Sequence, residues 1–220
     1  MKTQLINRLS KKYLFPNLPL YKSKGHLIYH KDIAHLLWGF YFESSAFDKD
    51  LFTIEVFVQP LFIPITYFTL TFGNRLGTLS KGRDIWWKYD ESKEEELMGE
   101  ILPMITSFGV PFLEDRNQLD KFMLKYGKVG LGDNPHIVEG ICYTHVLLGD
   151  YPKAKIMLSS FNKVLKKEIE KSPKTAWLVD MKDRTQLIFA FLENQNFVSA
   201  KEQLDEWRNY SVEKLGISDG

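Results

Sequence analysis

Cys142 and His145 stand three residues apart in a stretch of helical periodicity, so a thiol and an imidazole share one side of that helix. A thiol beside a base could attack an acyl carbon. That chemistry also needs a group to orient the base and donors for the oxyanion, and no residue pattern here supplies either. Cys142 is therefore read as a buried core residue. His26, His30 and His35, with Asp32 among them, could converge on a metal across the first strands. No ligand spacing is complete, so neither a metal nor a cofactor is expected. Glu43 and Glu55 fall on neighbouring strands, where alternation reads them as solvated outer-face residues. With Arg75 they make the alternative reading, a small-molecule-binding protein or enzyme with a pocket at the domain junction. Gly127, Gly130 and Gly132 space like a phosphate loop, but no strand precedes them and no Lys-Ser or Lys-Thr comes after. They are read as a hinge.

Trp86 and Trp87 are adjacent, and adjacent residues in a strand face opposite ways. One of them is then available as a contact anchor beside Arg75 and Arg83, since tryptophan and arginine are enriched in binding hot spots. These four residues, Arg75, Arg83, Trp86 and Trp87, are the candidate partner-binding set. Two charge runs need no ligand: Asp90, Glu91, Glu94, Glu95 and Glu96 at a helix start, and Lys163, Lys166, Lys167, Lys171 and Lys174 near a helix end, both match the helix dipole.

The elements that position these residues change character along the chain. Lys2 to Leu14 reads as an amphipathic helix ended by Phe15-Pro16. Strands are expected at 26–30, 36–43, 52–58, 67–72 and 85–89, with turns at 44–50 and at Gly73-Asn74. Short connections favour an antiparallel meander. Ser92 and Glu95 form a capping box ahead of a helix whose stripe is Leu97, Met98, Ile101, Leu102, Ile105 and Phe108, kinked or broken at Pro103. After the loop 127–134 strands disappear, and helices are expected at 135–148, from Pro152 onward, and at 176–192. The fold class is α+β: an antiparallel sheet with covering helices over 1–126, then an α-helical hairpin domain over 135–220.

The 220 residues are an ordinary globular mixture, 44% hydrophobic and 26% charged, with a formal net charge of +1. That balance argues against a nucleic acid partner, whose phosphates call for a basic surface. No run approaches the roughly 20 apolar residues of a spanning helix, so no membrane partner is expected. One cysteine suits a cytoplasmic location.

An internal echo completes the reading. Tyr151, Ala154, Lys155 and Leu158 recur 46 residues later as Phe197, Ala200, Lys201 and Leu204. With Leu148-Gly149-Asp150-Tyr151-Pro152-Lys153-Ala154, this C-terminal half resembles the turn and second helix of tetratricopeptide repeats (TPR), although that family repeats at about 34 residues and Gln195 stands where the second turn would carry glycine. The resemblance implies a helical-repeat scaffold that holds another protein or peptide. The segment Phe57 to Pro64, with Phe72-Gly73-Asn74-Arg75-Leu76 after it, resembles a pattern in uncharacterised bacterial α+β proteins, which implies an immunity-like or accessory role. The expected function is non-enzymatic protein recognition.

Overall fold

The computed structural model describes residues 3–218, so Lys2, the first residue of the expected N-terminal helix, lies outside the described residues. The chain has an antiparallel sheet in its N-terminal half and helices in its C-terminal half, the α+β arrangement. It forms two compact units, one comprising 1–59, 67–117 and 215–220, the other 60–66 and 118–214. The sequence suggests a single cut between 126 and 135; in the structure the chain passes from one unit to the other four times.

The first unit is built on a six-stranded sheet: β1 (Tyr21–Lys24), β2 (Leu27–His30), β3 (Leu36–Ser44), β4 (Leu51–Pro60), β5 (Gly73–Arg75) and β6 (Trp87–Lys88). The first five lie side by side in chain order and β6 pairs with β4. β4 is buried on both faces. Phe52, Ile54, Val56 and Val58 have no measurable exposure, and on the other face Phe57 has none and Gln59 only 2%. A strand covered twice loses the polar-out alternation that marks a half-exposed one.

The face carrying Phe40 and Val56 meets helices. After α1 (Thr3–Leu9) the chain winds through a π-helical turn, Ser10–Leu14, then later enters α2 (Leu76–Lys81), α3 (Glu94–Met104), a second π-helical turn at Ile105–Gly109, and α4 (Val110–Glu114). Pro103 stays inside α3, and the expected kink takes the form of that second π turn. Gly109 at its end lies against the Phe40 ring, where a methyl group would come within 2.6 Å of a ring carbon. The capping box is not realised. Asp90 accepts from the Ser92 N–H at 2.9 Å, a short 3-10 turn comes next, and α3 starts only at Glu94.

The strand expected at 67–72 is absent. There the backbone bends, and Gln59 Oε1 accepts from the Thr69 N–H at 3.2 Å and from Thr69 Oγ1 at 2.7 Å, so a side chain takes the place of a ladder bond. The pairing strand is instead β5, with Glu55 opposite Arg75 and Phe57 opposite Gly73.

The second unit holds α5 (Leu119–Tyr126), α6 (Pro135–Leu147), α7 (Tyr151–Lys171), α8 (Ala176–Glu193) and α9 (Phe197–Leu215). Short links make consecutive helices antiparallel hairpins. The turns after α6 and α8 agree bond for bond. The N–H of Asp150 donates to His145 O and that of Gly149 to Val146 O; 46 residues on, Asn196 donates to Phe191 O and Gln195 to Leu192 O. This is the Schellman pattern, which needs a left-handed residue after the helix. Gly149 supplies it with φ of 81°, and Gln195 adopts φ of 55°, the one non-glycine residue among those described with positive φ.

A side chain at Gln195 is strained where glycine is not. Gln195→Gly should therefore raise unfolding stability by about 1 kcal/mol and Gly149→Gln should lower it by a similar amount. Urea midpoints at constant m-value measure both.

Candidate interaction surfaces

In the first unit the outer sheet face centres on Arg75. Its Nε donates to Glu55 Oε1 at 2.9 Å, Nη1 to Asp84 Oδ2 at 2.5 Å and Nη2 to Glu43 Oε2 at 3.5 Å. Glu55 is 7% exposed, so the expected solvated outer-face glutamate is a buried one. Burial pushes its carboxyl above the ordinary range, Arg75 opposes the shift, and Glu43 and Asp84 add to it. The guanidinium is correspondingly held in its charged form, by Glu55 first and then Asp84. Above it lies Trp86, its ring centroid 5.3 Å from the guanidinium carbon, a cation-π arrangement that leaves the indole 39% exposed. Trp87 faces the opposite way, 4% exposed against Phe52, with its Nε1 lacking a hydrogen-bond partner. Arg83 is exposed. Of the four candidate residues, Trp86 and Arg83 thus present surface, Arg75 supports Trp86 from beneath, and Trp87 belongs to the core.

Two of the histidines of this unit, His26 and His30, are engaged separately. His26 Nδ1 donates to Phe42 O at 2.8 Å, while His30 Nδ1 accepts from the Asp32 N–H at 3.1 Å and its ring stacks on Trp38 at 4.0 Å. Among the described residues no group of three or more His, Cys, Asp or Glu is placed to hold a metal. The acidic run at the α3 start binds the N-terminal segment: Glu94 is contacted by Arg8, Lys12, Tyr13 and Tyr89. The surrounding open depression of about 480 Å³ is lined by Arg8, Lys12 and the run 91–96. Its charges are largely satisfied by one another.

In the second unit the echo positions meet. Tyr151 and Phe197 stack with centroids 4.1 Å apart and ring planes 6° from parallel, and Lys201 Nζ lies 5.7 Å over the Tyr151 ring. Ala154, Ala200, Leu158 and Leu204 are all fully buried. Small residues at such points let helices approach closely. The two first helices are joined by a buried ion pair: Arg184 Nε and Nη2 on α8 donate to the two Glu139 oxygens on α6, at 2.9 and 3.2 Å. Glu139 has no exposure, and Tyr143, equally buried, donates to the same carboxylate at 3.1 Å. His136 of α6 and Trp177 of α8 pair at 5.0 Å. On the Arg184 side of α8, Trp177, Asp180 and Leu187 stay exposed at three- and four-residue spacing. Nothing in the sequence flagged Glu139 or Arg184; their 45-residue separation hides the pairing until the helices are placed.

Cys142 is fully buried, and burial, with the Glu139 charge adding, pushes its thiol up to about 12. It is a protonated packing group at neutral pH. His145 turns its Nδ1 to Asp150 Oδ2, 3.2 Å away, and its Nε2 is buried with no partner. The exposed lysines Lys163, Lys166 and Lys167 project from α7, and Lys171 pairs with Glu168 at 2.7 Å.

Comparison with known proteins finds no family model that matches the chain, and no curated protein or solved structure significantly similar to it. No described helix is long and apolar enough to cross a membrane.

The polar core of the second unit is open to two stability measurements. Removing one partner of the Glu139–Arg184 pair strands the other inside, so Arg184→Met should cost about 3–5 kcal/mol of stability. The double variant Glu139→Leu/Arg184→Met should recover most of that loss in urea unfolding. For His145, burial holds the imidazole below its ordinary pKa of about 6.5, and Lys153 acts the same way against a smaller opposing effect of Asp150. The unfolded chain then takes up the proton first, so the His145 contribution is intact above pH 6.5 and is lost as pH falls toward the lower folded value. His145→Phe should flatten the fall of unfolding free energy between about pH 7 and 5, measured by urea titration at each pH.

Proposed function

We propose that this protein is a non-enzymatic recognition protein that binds another protein or peptide through the exposed side of α8 in its helical unit, in the cytoplasm. The observation that carries this reading is the agreement of the two hairpins. Their turns share the same hydrogen bonds at a 46-residue offset, and their second helices begin with aromatics stacked on one another. Stacked hairpins of this kind bury their apolar faces against neighbours; α6 is buried throughout Val138 to Val146, and the exposed surface falls on α8. Here that surface holds Trp177 and Leu187, 44% and 39% exposed, above the Glu139–Arg184 pair. Rigid aromatic anchors beside a satisfied arginine are the composition of a binding hot spot. The buried, protonated Cys142 and the carboxylate-bound Arg75 favour recognition over a reactive centre.

The test is affinity capture from native-host lysate with the full chain, identifying the retained protein by mass spectrometry. Trp177→Ala/Leu187→Ala should reduce its retention by about tenfold or more, and Lys166→Ala should leave it unchanged. Retention of nothing above background, or equal retention by all variants, overturns the reading.

A further inference from the structure

The C-terminal half of α7 carries more positive charge than its packing needs. From 163 to 174 the chain places Lys163, Lys166, Lys167, Lys171 and Lys174 against only Glu168 and Glu170. Lys171 is taken by Glu168 at 2.7 Å. Lys163, Lys166, Lys167 and Lys174 are exposed, and none has a hydrogen bond or ion pair among the described residues. The helix dipole acts only within the last turn, which in α7 is 168–171, so it accounts for Lys171 and leaves Lys163 and Lys166 unexplained. The hairpin framework does not require them either. At the 46-residue offset their positions in α9 are filled by Asn209, Val212 and Glu213. Lys163 stands three and four residues from Lys166 and Lys167, and Lys167 four from Lys171, spacings at which like charges on a helix repel. An anion laid along this face would relieve that repulsion.

The surroundings narrow the kind of anion. The face carries no arginine and no aromatic ring, so the stacking platforms that hold single-stranded nucleic acid are missing from it. It is one helix wide, about 10–12 Å. On one flank α8 is tied to α7 by Thr185 Oγ1 donating to Asn162 at 2.6 Å and by Lys155 with Glu193 at 3.7 Å, and α8 exposes Asp180 and Asp183. A nucleic acid duplex or an anionic bilayer broad enough to span both helices would press its phosphates on those carboxylates. A single acidic chain along α7 meets the lysines alone.

We propose that the Lys163–Lys166–Lys167 face of α7 binds one acidic polypeptide segment, bearing aspartate or glutamate side chains, of another protein. This surface is separate from the exposed side of α8, and neither assignment depends on the other.

The test is fluorescence anisotropy of the full chain with fluorescein-labelled oligoglutamate of about ten residues, long enough to cover the face at about 3.3 Å per extended residue against 1.5 Å per helical residue. The proposal expects saturable binding that weakens about tenfold or more in Lys163→Gln/Lys166→Gln/Lys167→Gln and on raising salt from about 0.05 to 0.2 M. Lys167→Gln alone should weaken it about twofold or more. Removing the same charge elsewhere, in Lys11→Gln/Lys88→Gln/Lys128→Gln, should keep the affinity within about twofold. Trp177→Ala/Leu187→Ala should leave it unchanged, which separates this site from the one on α8. The α7 triple variant should keep its helical circular dichroism and a thermal midpoint no lower than that of the parent, because glutamine forms helix about as well as lysine and the repulsion is gone. No binding of oligoglutamate overturns the proposal, as does an equal loss in the two triple variants. Tighter binding of oligouridylate of the same length overturns it as well. So does cosedimentation with phosphatidylcholine–phosphatidylserine vesicles, or self-association in sedimentation velocity, that the α7 triple variant abolishes.

Discussion

A strand covered on both faces sets the terms for the first unit. β4 runs through the sheet with nearly every side chain out of water, so each polar group it carries must find a partner within the protein. Glu55 finds Arg75 on the adjacent strand, directly opposite in register, and Gln59 finds Thr69. Those two requirements shape the chain after β4. It bends through 67–72 to bring Thr69 beneath the amide, then forms only a three-residue strand, long enough to place the guanidinium. Arg75 in turn holds Glu43 and Asp84 and carries Trp86, so the exposed indole is a consequence of neutralising one buried carboxylate.

The helical unit solves a comparable problem by repetition. Each first helix buries a polar residue at the corresponding position, Glu139 in α6 and Thr185 in α8, and each reaches another helix, to Arg184 and to Asn162. The aromatic that opens each second helix meets its counterpart in a parallel stack. Such pairing makes the two hairpins a register for one another: a slip of either would unstack the rings and separate the buried charges.

Much of this was legible in the residues. The α+β division, the helices of the second half and the opposite facing of Trp86 and Trp87 are written in periodicities of two and of 3.6. What sequence periodicity misplaced shares a cause, the capture of backbone groups by side chains. Thr69 bonds to a glutamine instead of a strand, so the alternation of Phe68, Leu70 and Phe72 led to a strand that does not form. Asp90 caps where Ser92 was expected to. β1 escaped notice because Lys22 and Lys24 interrupt it; both ammonium groups donate to carbonyls near the C-terminal end, Lys22 to Ser218 and Lys24 to Leu215 and Gly216. The burial of Glu55 was invisible for a related reason. A carboxylate on an alternating strand looks solvated until a second layer is known to lie above it.

The contribution of 60–66 to the helical unit, and of 215–220 to the sheet unit, has a consequence for how the molecule comes into being. Leu61, Phe62 and Ile63 are buried, and Ser211 fixes them by donating to Ile63 O at 3.0 Å and accepting from the Ile65 N–H at 3.2 Å. During synthesis these residues emerge roughly 150 positions before the serine that secures them, and β1 and β2 emerge long before the tail that Lys22 and Lys24 grasp. Neither unit can be finished until residues past 210 have been made, so each waits on chain that emerges long after its first elements and the apolar segment 60–66 stays uncovered in the meantime.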